Sequence, residues 1–247
     1  MCLSTNLKRQ PFGHDKVQGD LPNVVSVDLI VFSVPSRDGY TCALNLATHD
    51  HRLSYVAPLR QKSESFVAFE HFFVYYKTQL NTSIKLVKCD GGGEFAGQLK
   101  AFLDKNDVEL HITPRETPQL NGVAERTGGI LGSMVRAMLK DAGLSKGYWS
   151  DALKCAAHLR NRIPASHLNN KTPIEAFTGR LPNMAYIRRF GQICFALNSA
   201  GRKLDDRGSK CILLGFDHLS YKVLNLATRR FLKRMVTIYT TQIGKLM

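Results

Sequence analysis

An acidic residue within an apolar run constrains the fold of this chain most. Asp28 lies in the segment VVSVDLIVF, which begins at Val24 and is typical of a buried strand. A carboxylate in the middle of such a strand is costly unless another group pairs with it. The rest of the chain must therefore bring a partner to Asp28.

Two further carboxylates are candidates to meet Asp28. Asp90 follows the short apolar run from Ile84 to Val87 and precedes three glycines, and Glu125 begins a predicted helix. Three carboxylates brought together would repel and raise one another's pKa values unless a divalent cation lay between them. Such a cluster suits Mg²⁺ acting on phosphate. Taken singly, each residue also fits a simpler role in a turn or at a helix start.

The order of apolar runs predicts an α/β fold. Short connections between the first three predicted strands favour antiparallel neighbours. The strand–helix–strand order that follows favours a right-handed crossover, which places the first and fourth strands parallel and adjacent, with Asp28 beside Asp90. The predicted elements are strands at about 24–32, 40–47 and 53–59, a helix at 62–81, a strand at 84–88, a helix at 98–105, a strand at 108–112, and helices at 121–139 and 148–163.

The segments KCDGGGEF and TPQLNGVAER resemble the integrase core of copia-type retrotransposon Pol polyproteins, a branch of the retroviral integrase superfamily. The resemblance extends from about residue 2 to residue 240, and the family's Asp, Asp, Glu triad matches Asp28, Asp90 and Glu125. It implies an RNase H-like core, with a mixed central sheet flanked by helices, followed by a small Src-homology-3-like β-barrel. The Gly-Pro that usually follows the first Asp of the family is absent here.

The resemblance also implies an activity, a metal-dependent integrase that trims the 3′ ends of retroelement DNA and joins them to target DNA. Asp28 and Asp90 would share one Mg²⁺ or Mn²⁺ ion, and Asp28 and Glu125 would hold a second. Gln119 and Asn121, in the predicted loop before Glu125, are candidate contacts to the DNA end, although ordinary loop and helix-cap roles fit them equally. The implied partners are double-stranded DNA and further copies of the chain, and a functional enzyme would act in the nucleus.

Basic residues are concentrated in the last quarter of the chain. The whole chain has a net charge of +14, and residues 188–247 contain twelve Lys or Arg against three Asp, a net charge of +9. This region consists of short predicted strands at 193–197, 210–215, 221–226 and 230–238. Its segments KCILLGF and YKVLNLATRRFLKR resemble the barrel that follows the copia-type core. The charge density favours contacts with DNA phosphates, for which Arg202, Lys203, Arg229 and Arg230 are candidates.

These patterns predict three regions. Residues 21–187 form the catalytic core with a helical extension, and residues 188–247 form the basic barrel. Residues 1–20 resemble the end of the zinc-binding module that precedes the core in the family, so we expect an N-terminally truncated module, because a structural zinc needs four ligands. The residues that match this module are Cys2, Lys8, Arg9, Pro11 and Phe12.

The six cysteines show no C-x-x-C spacing, and no signal peptide is apparent, so we expect reduced, buried, intracellular thiols. No apolar run approaches the roughly 18 residues needed to span a bilayer.

Two alternatives remain open. A degenerate fragment that binds DNA without catalysis is favoured by Gly128, Gly129 and Gly132 in the helix of Glu125, where the family usually has Asn and Arg at the first two positions. Each glycine costs about 0.5–1 kcal/mol relative to Ala in a helix interior. An RNase H-type nuclease would use similar ions, but TPQLNGVAER and the basic barrel match integrases better.

Overall fold

The computed structural model describes residues 23–79, 81–90, 93–113, 122–197, 207–216, 220–234 and 236–237. Within these residues the chain forms one mixed and one antiparallel sheet, each of five strands, together with five α-helices. The first part contains β1 (Val24–Val31), β2 (Cys42–Thr48), β3 (Ser54–Leu59), α1 (Ser65–Gln79), β4 (Leu86–Asp90), α2 (Gly93–Lys105), β5 (Glu109–Thr113), α3 (Gly122–Asp141), α4 (Trp149–Arg160) and α5 (Pro173–Thr178). The second contains β6 (Ile193–Leu197), β7 (Gly208–Phe216), β8 (Tyr221–Asn225), β9 (Phe231–Arg234) and β10 (Val236–Thr237).

The first sheet has the strand order β3-β2-β1-β4-β5. Its first three strands are antiparallel neighbours, whereas β4 is parallel to β1 and to β5. The predicted crossover between the first and fourth strands is therefore confirmed. This pairing brings the two strands that carry Asp28 and Asp90 together at the centre of the sheet.

Helices cover both faces of this sheet. On one face α1 packs through its aromatic side chains, because Phe69, Phe72, Phe73 and Tyr76 are buried in one cluster with α2 and the sheet. On the opposite face, α3 and α4 form a second cluster, which includes Leu131, Val135, Trp149 and Leu153. Successive side chains of a strand point to opposite faces, so Asp28 lies on the face that α3 covers.

The glycines of α3 do not interrupt the helix, which continues from Gly122 to Asp141. Gly128 lies against the sheet, where an added Cβ would be 3.5 Å from Ile30 Cδ1 and 3.6 Å from Asn45 Nδ2. Gly129 faces open space instead. A long side chain is therefore accommodated more readily at position 129 than at position 128.

The second sheet has the order β10-β6-β7-β8-β9. The prediction of a single strand at 230–238 is wrong, because two strands, β9 and β10, occupy this stretch. The run divides, because Phe231 and Leu232 pair with β8 whereas Val236 and Thr237 pair with β6 at the other edge.

An ion pair and a shared apolar core join the second sheet to α4. Leu214 and Leu224 belong to the same buried cluster as Trp149. Lys222 Nζ lies 2.6 Å from Asp151 Oδ1, and Asp38 Oδ2 lies 3.2 Å away. Burial alone would lower the pKa of Lys222, but the hydrogen bond to Asp151 and the two carboxylate charges raise it. Lys222 is therefore a structural cation between the two sheets.

The five cysteines within the described ranges are buried and free, as expected. Cys2 and the expected zinc-module remnant lie outside those ranges. None of the helices described is long and apolar enough to cross a membrane.

A close backbone approach joins the end of α3 to the start of the second sheet. Gly191 has φ +79°, and its N–H donates to the carbonyl of Leu213 at 2.8 Å. A Cβ added at Gly191 would lie 2.2 Å from Ala142 Cβ. Only glycine fits here without displacing α3 or the sheet.

We predict that Gly191→Ala lowers the free energy of unfolding by about 2–4 kcal/mol, because it combines overpacking with a left-handed backbone. Gly129→Ala is the control, since its Cβ meets no atom within 4 Å, and it should raise stability by about 0.5–1 kcal/mol. Urea unfolding followed by the fluorescence of the single tryptophan, Trp149, measures both. If Gly191→Ala were as stable as the wild type, the close approach of Gly191 to Ala142 would be contradicted.

Candidate active site

Parallel pairing of β1 with β4 sets Asp28 beside Asp90. The register joins Val27 to Cys89, so the next position on each strand is an aspartate. Val27 and Cys89 are buried in the core under α1, and the two aspartates lie on the other face because side chains alternate along a strand. Asp28 is half-buried and Asp90, the last residue of β4, is exposed.

The electrostatics of Asp28 reflect this placement. Burial raises the pKa of Asp28, the hydrogen bond that the Leu29 N–H donates to Asp28 Oδ1 at 2.8 Å lowers it, and the charge of Asp90 raises it again. The net result is a raised pKa. The ionised pair is therefore unfavourable unless a cation offsets the repulsion.

Asn45 connects the strands of the aspartate pair to α3. It is not among the site residues predicted from the sequence. It is the cross-strand partner of Asp28 on β2 and is fully buried. Its Nδ2 donates to the carbonyl of Ala124 at 3.0 Å, and its Oδ1 is buried without a hydrogen-bond partner among the described residues. An amide within the apolar run CALNLAT is the sequence signal that could have revealed it.

Glu125 follows Ala124 in the first turn of α3 and is exposed. The Asn45–Ala124 hydrogen bond thus ties the helical turn that contains Glu125 to β2, the strand next to Asp28. Within the described ranges, no three His, Cys, Asp or Glu side chains form a group that could hold a metal ion. The structure brings Asp28 and Asp90 together, and the convergence of Glu125 with them stays a prediction.

The predicted DNA contacts are only partly within the described residues. Gln119, Asn121, Arg202 and Lys203 lie outside them. Arg229 and Arg230 are exposed in the turn between β8 and β9.

The side chain of Asn225 organises this turn. Its Oδ1 accepts hydrogen bonds from the N–H groups of Ala227 and Thr228, each at 2.9 Å. The Asn225 N–H donates to the carbonyl of Arg230 at 2.9 Å. The turn therefore holds the backbone of both arginines while their side chains face solvent.

Comparison with known proteins identifies relatives over most of the chain. The family described as "Retroviral polymerase SH3-like domain" matches residues 192–245. The chain is 28% identical to the Retrovirus-related Pol polyprotein from transposon RE1 of Arabidopsis thaliana, over 93% of this chain and 16% of that protein. The RE2 polyprotein of the same plant is 27% identical over the same shares, and the TNT 1-94 polyprotein of Nicotiana tabacum is 26% identical over 76% of this chain and 14% of that protein.

The homologues of this chain are copia-type Pol polyproteins of plant transposons. The chain spans about 16% of the length of the first two polyproteins, which contain much more than the region matched here.

Solved structures agree on the fold. The HTLV-2 integrase catalytic core domain, solved in complex with magnesium, matches 64% of this chain and 99% of its own with a TM-score of 0.50 and 18% identity. The simian T-cell lymphotropic virus intasome, solved with the PP2A regulatory subunit B56 gamma, matches 88% of this chain and 78% of its own with a TM-score of 0.52 and 15% identity. The predicted fold class, an RNase H-like core followed by an SH3-like domain, is confirmed.

We predict that Asp28→Asn stabilises the protein at neutral pH in the presence of a chelator. The pKa of Asp28 is raised in the folded state, so the wild type keeps its full stability only below the ordinary carboxyl pKa of about 4. It loses stability relative to the Asn variant as pH rises through the raised pKa. Thermal unfolding of both proteins across pH measures the difference.

The control for this experiment is Asp104→Asn, which changes an exposed carboxylate on α2. It should alter stability by less than about 0.5 kcal/mol. An Asp28→Asn variant that is no more stable than the wild type at neutral pH would contradict the unfavourable placement of Asp28.

Proposed function

We propose that this chain is the integrase portion of a retrotransposon Pol polyprotein, a polynucleotidyl transferase that trims DNA 3′ ends and joins them to target DNA. The observation that supports this most is the pair formed by Asp28 and Asp90 on adjacent parallel strands of an integrase-core fold. Glu125, in the first turn of α3 above the same face, is the proposed third carboxylate.

The residues at this position fit divalent metal ions. Two carboxylates side by side supply the hard oxygen ligands that Mg²⁺ prefers, and the raised pKa of Asp28 reflects a repulsion that a cation would relieve. In the proposed arrangement, Asp28 and Asp90 hold one ion, and Asp28 and Glu125 hold another. Bound there, the ions would activate the attacking oxygen and stabilise the leaving one.

The proposed reaction exchanges one phosphorus–oxygen bond for another. In trimming, a water oxygen attacks a phosphorus near the DNA end, and in joining, the new 3′-hydroxyl oxygen attacks a phosphorus of the target strand. In both steps the attacking oxygen bonds to phosphorus and gives up its proton, the bond from phosphorus to the departing 3′-oxygen breaks, and that oxygen takes up a proton. The protein's contribution is to hold its carboxylates in fixed relative positions, which the β1–β4 pairing and the Asn45–Ala124 hydrogen bond both favour.

The proposed partners are double-stranded DNA and further copies of this chain, with action in the nucleus. Arg229 and Arg230 support the DNA assignment, because both are exposed on a turn that Asn225 organises. The similarity to a protein solved as an intasome points in the same direction. We also propose that residues 21–187 act as the catalytic core with its helical extension and that residues 188–247 act as the basic DNA-contacting domain.

One observation favours the second candidate function, a DNA-binding relic without catalysis. Within the described ranges no three potential ligands form a metal-binding group. A chain of this kind would keep the fold and its basic surface but would bind DNA equally well in a chelator.

We predict that the chain joins linear DNA ends covalently to a plasmid when Mg²⁺ or Mn²⁺ is present. Asp90→Asn and Glu125→Gln should each reduce joining by at least about 100-fold, because the loss of a ligand should exceed the 10–100-fold cost of losing its supporting partner. Asp104→Asn should retain activity. Gel analysis of joined products measures the reaction.

The same proteins should then be compared for DNA binding in a chelator. If the wild type binds DNA but joins none with either metal, the relic is the correct function and the integrase proposal fails.

A further inference from the structure

A group of basic side chains lies on the α3 side of the first sheet, the side that also carries the candidate carboxylates. Its members come from the β2–β3 turn, β4, the first turn of α3, the end of α4 and the segment after α4. We call this group the basic cluster. It consists of His49, Arg52, Lys88, Arg126, Arg160 and His167.

Hydrogen bonds tie the end of α4 to the β2–β3 turn and so hold the cluster together. Arg160 Nη1 donates to the carbonyl of Arg52 at 2.7 Å and lies 2.6 Å from Ser54 Oγ. The next residue, Asn161, accepts from the Ser54 N–H and donates to the Ser54 carbonyl, each at 2.8 Å. Two arginines from distant parts of the sequence are therefore positioned by one shared network.

The cluster shares its structural elements with the candidate carboxylates. Lys88 precedes Asp90 by two residues on β4 and is paired in register with Ser26 of β1. Ser26 Oγ lies 2.8 Å from His49 Nε2. Arg126 directly follows Glu125 in α3. The cluster and the candidate carboxylates therefore share a strand and a helix.

The charges of the arginines and of Lys88 lower the pKa values of neighbouring basic groups. Burial and the charge of Arg126 lower the pKa of Arg52, and burial and the charge of Arg52 lower that of Arg160. Burial, Lys88 and Arg52 lower the pKa of His49 to about 4, although Asp50 opposes them.

Little negative charge offsets the cluster. Asp50 Oδ2 accepts a hydrogen bond from the Asn23 N–H at 2.5 Å, and its carboxylate acts on His49 and Arg52. Lys88 is buried, and Arg52 and Arg160 are partly buried. The ion pairs of the described residues involve none of the cluster's arginines or its lysine. Crowded, partly desolvated cations of this kind are stabilised by a bound anion.

We propose that the basic cluster is a phosphate-binding subsite that holds a backbone phosphate of DNA on the same face of the sheet as the candidate active site. Arginine suits this role because its planar guanidinium group donates two parallel hydrogen bonds to phosphate oxygens. Arg126 is exposed and Arg52 half-buried, so the cluster is open to a polymer as well as to a free ion. The assignment of the ligand as DNA rests on the proposed function. Binding of DNA phosphate to the cluster does not itself require that the protein be catalytic.

The test uses Arg52→Gln, because the hydrogen bonds that position this residue involve its backbone carbonyl and not its guanidinium. Affinity for a duplex oligonucleotide is measured in a chelator over a range of salt concentrations. Loss of one phosphate contact should reduce the salt slope by about 0.9 and the affinity at 0.1 M salt by roughly fivefold to tenfold. Arg52→Lys should keep the salt slope, since it keeps the charge, but should bind with intermediate affinity, since lysine does not donate two parallel hydrogen bonds.

Arg180→Gln is the matched control, because Arg180 is exposed just beyond α5. It should leave the salt slope unchanged. An Arg52→Gln slope equal to that of the wild type, in a variant that unfolds like the wild type, would overturn the proposal.

A second measurement distinguishes DNA from free phosphate. The NMR resonance of the His49 ring should shift when duplex DNA is added to the wild type, and the shift should be smaller in Arg52→Gln. A shift with inorganic phosphate but none with DNA would overturn the assignment to DNA. A chain that joins no DNA ends but loses salt slope in Arg52→Gln would refute the proposed function and leave the subsite standing.

Discussion

The parallel pairing of β1 with β4 is the interaction on which the candidate site depends. Its register sets Asp28 against Asp90 on one face, while Val27 and Cys89 enter the core on the other. A shift of β4 by one residue against β1 would turn Asp90 toward α1 and Cys89 away from it, so the core itself fixes the register. The repulsion between the carboxylates is thus imposed by the packing of the fold.

The sequence predicted this pairing because local order and crossover handedness are sufficient to place two strands side by side. It did not predict Asn45, since its role follows from the β1–β2 register and from the distant carbonyl of Ala124. The sequence did not predict the basic cluster for the same reason, because Arg52 and Arg160 come together only through tertiary contacts. The division of the last predicted strand depended on which edge of the second sheet each half pairs with.

Charge in the last quarter of the chain has two different roles, which a count of residues cannot separate. Lys222 forms salt bridges with Asp151 and Asp38, and Arg189 forms a salt bridge with Asp141, in which Nη2 lies 2.7 Å from Oδ1. Arg229 and Arg230 remain exposed on an ordered turn. The shared core between α4 and the second sheet also means that removal of residues 188–247 would uncover apolar side chains, so point substitutions test this surface better than truncation.

The central claim is that Asp28 and Asp90 form a divalent metal site. Crystals grown with Mn²⁺ and measured near the manganese absorption edge test it directly, with Asp90→Asn crystals as the comparison. We expect an anomalous peak between the two carboxylates in the wild type, in contact with an oxygen of each, and its loss in the variant. An absence of any peak in the wild type, or an equal peak in both proteins, would contradict it.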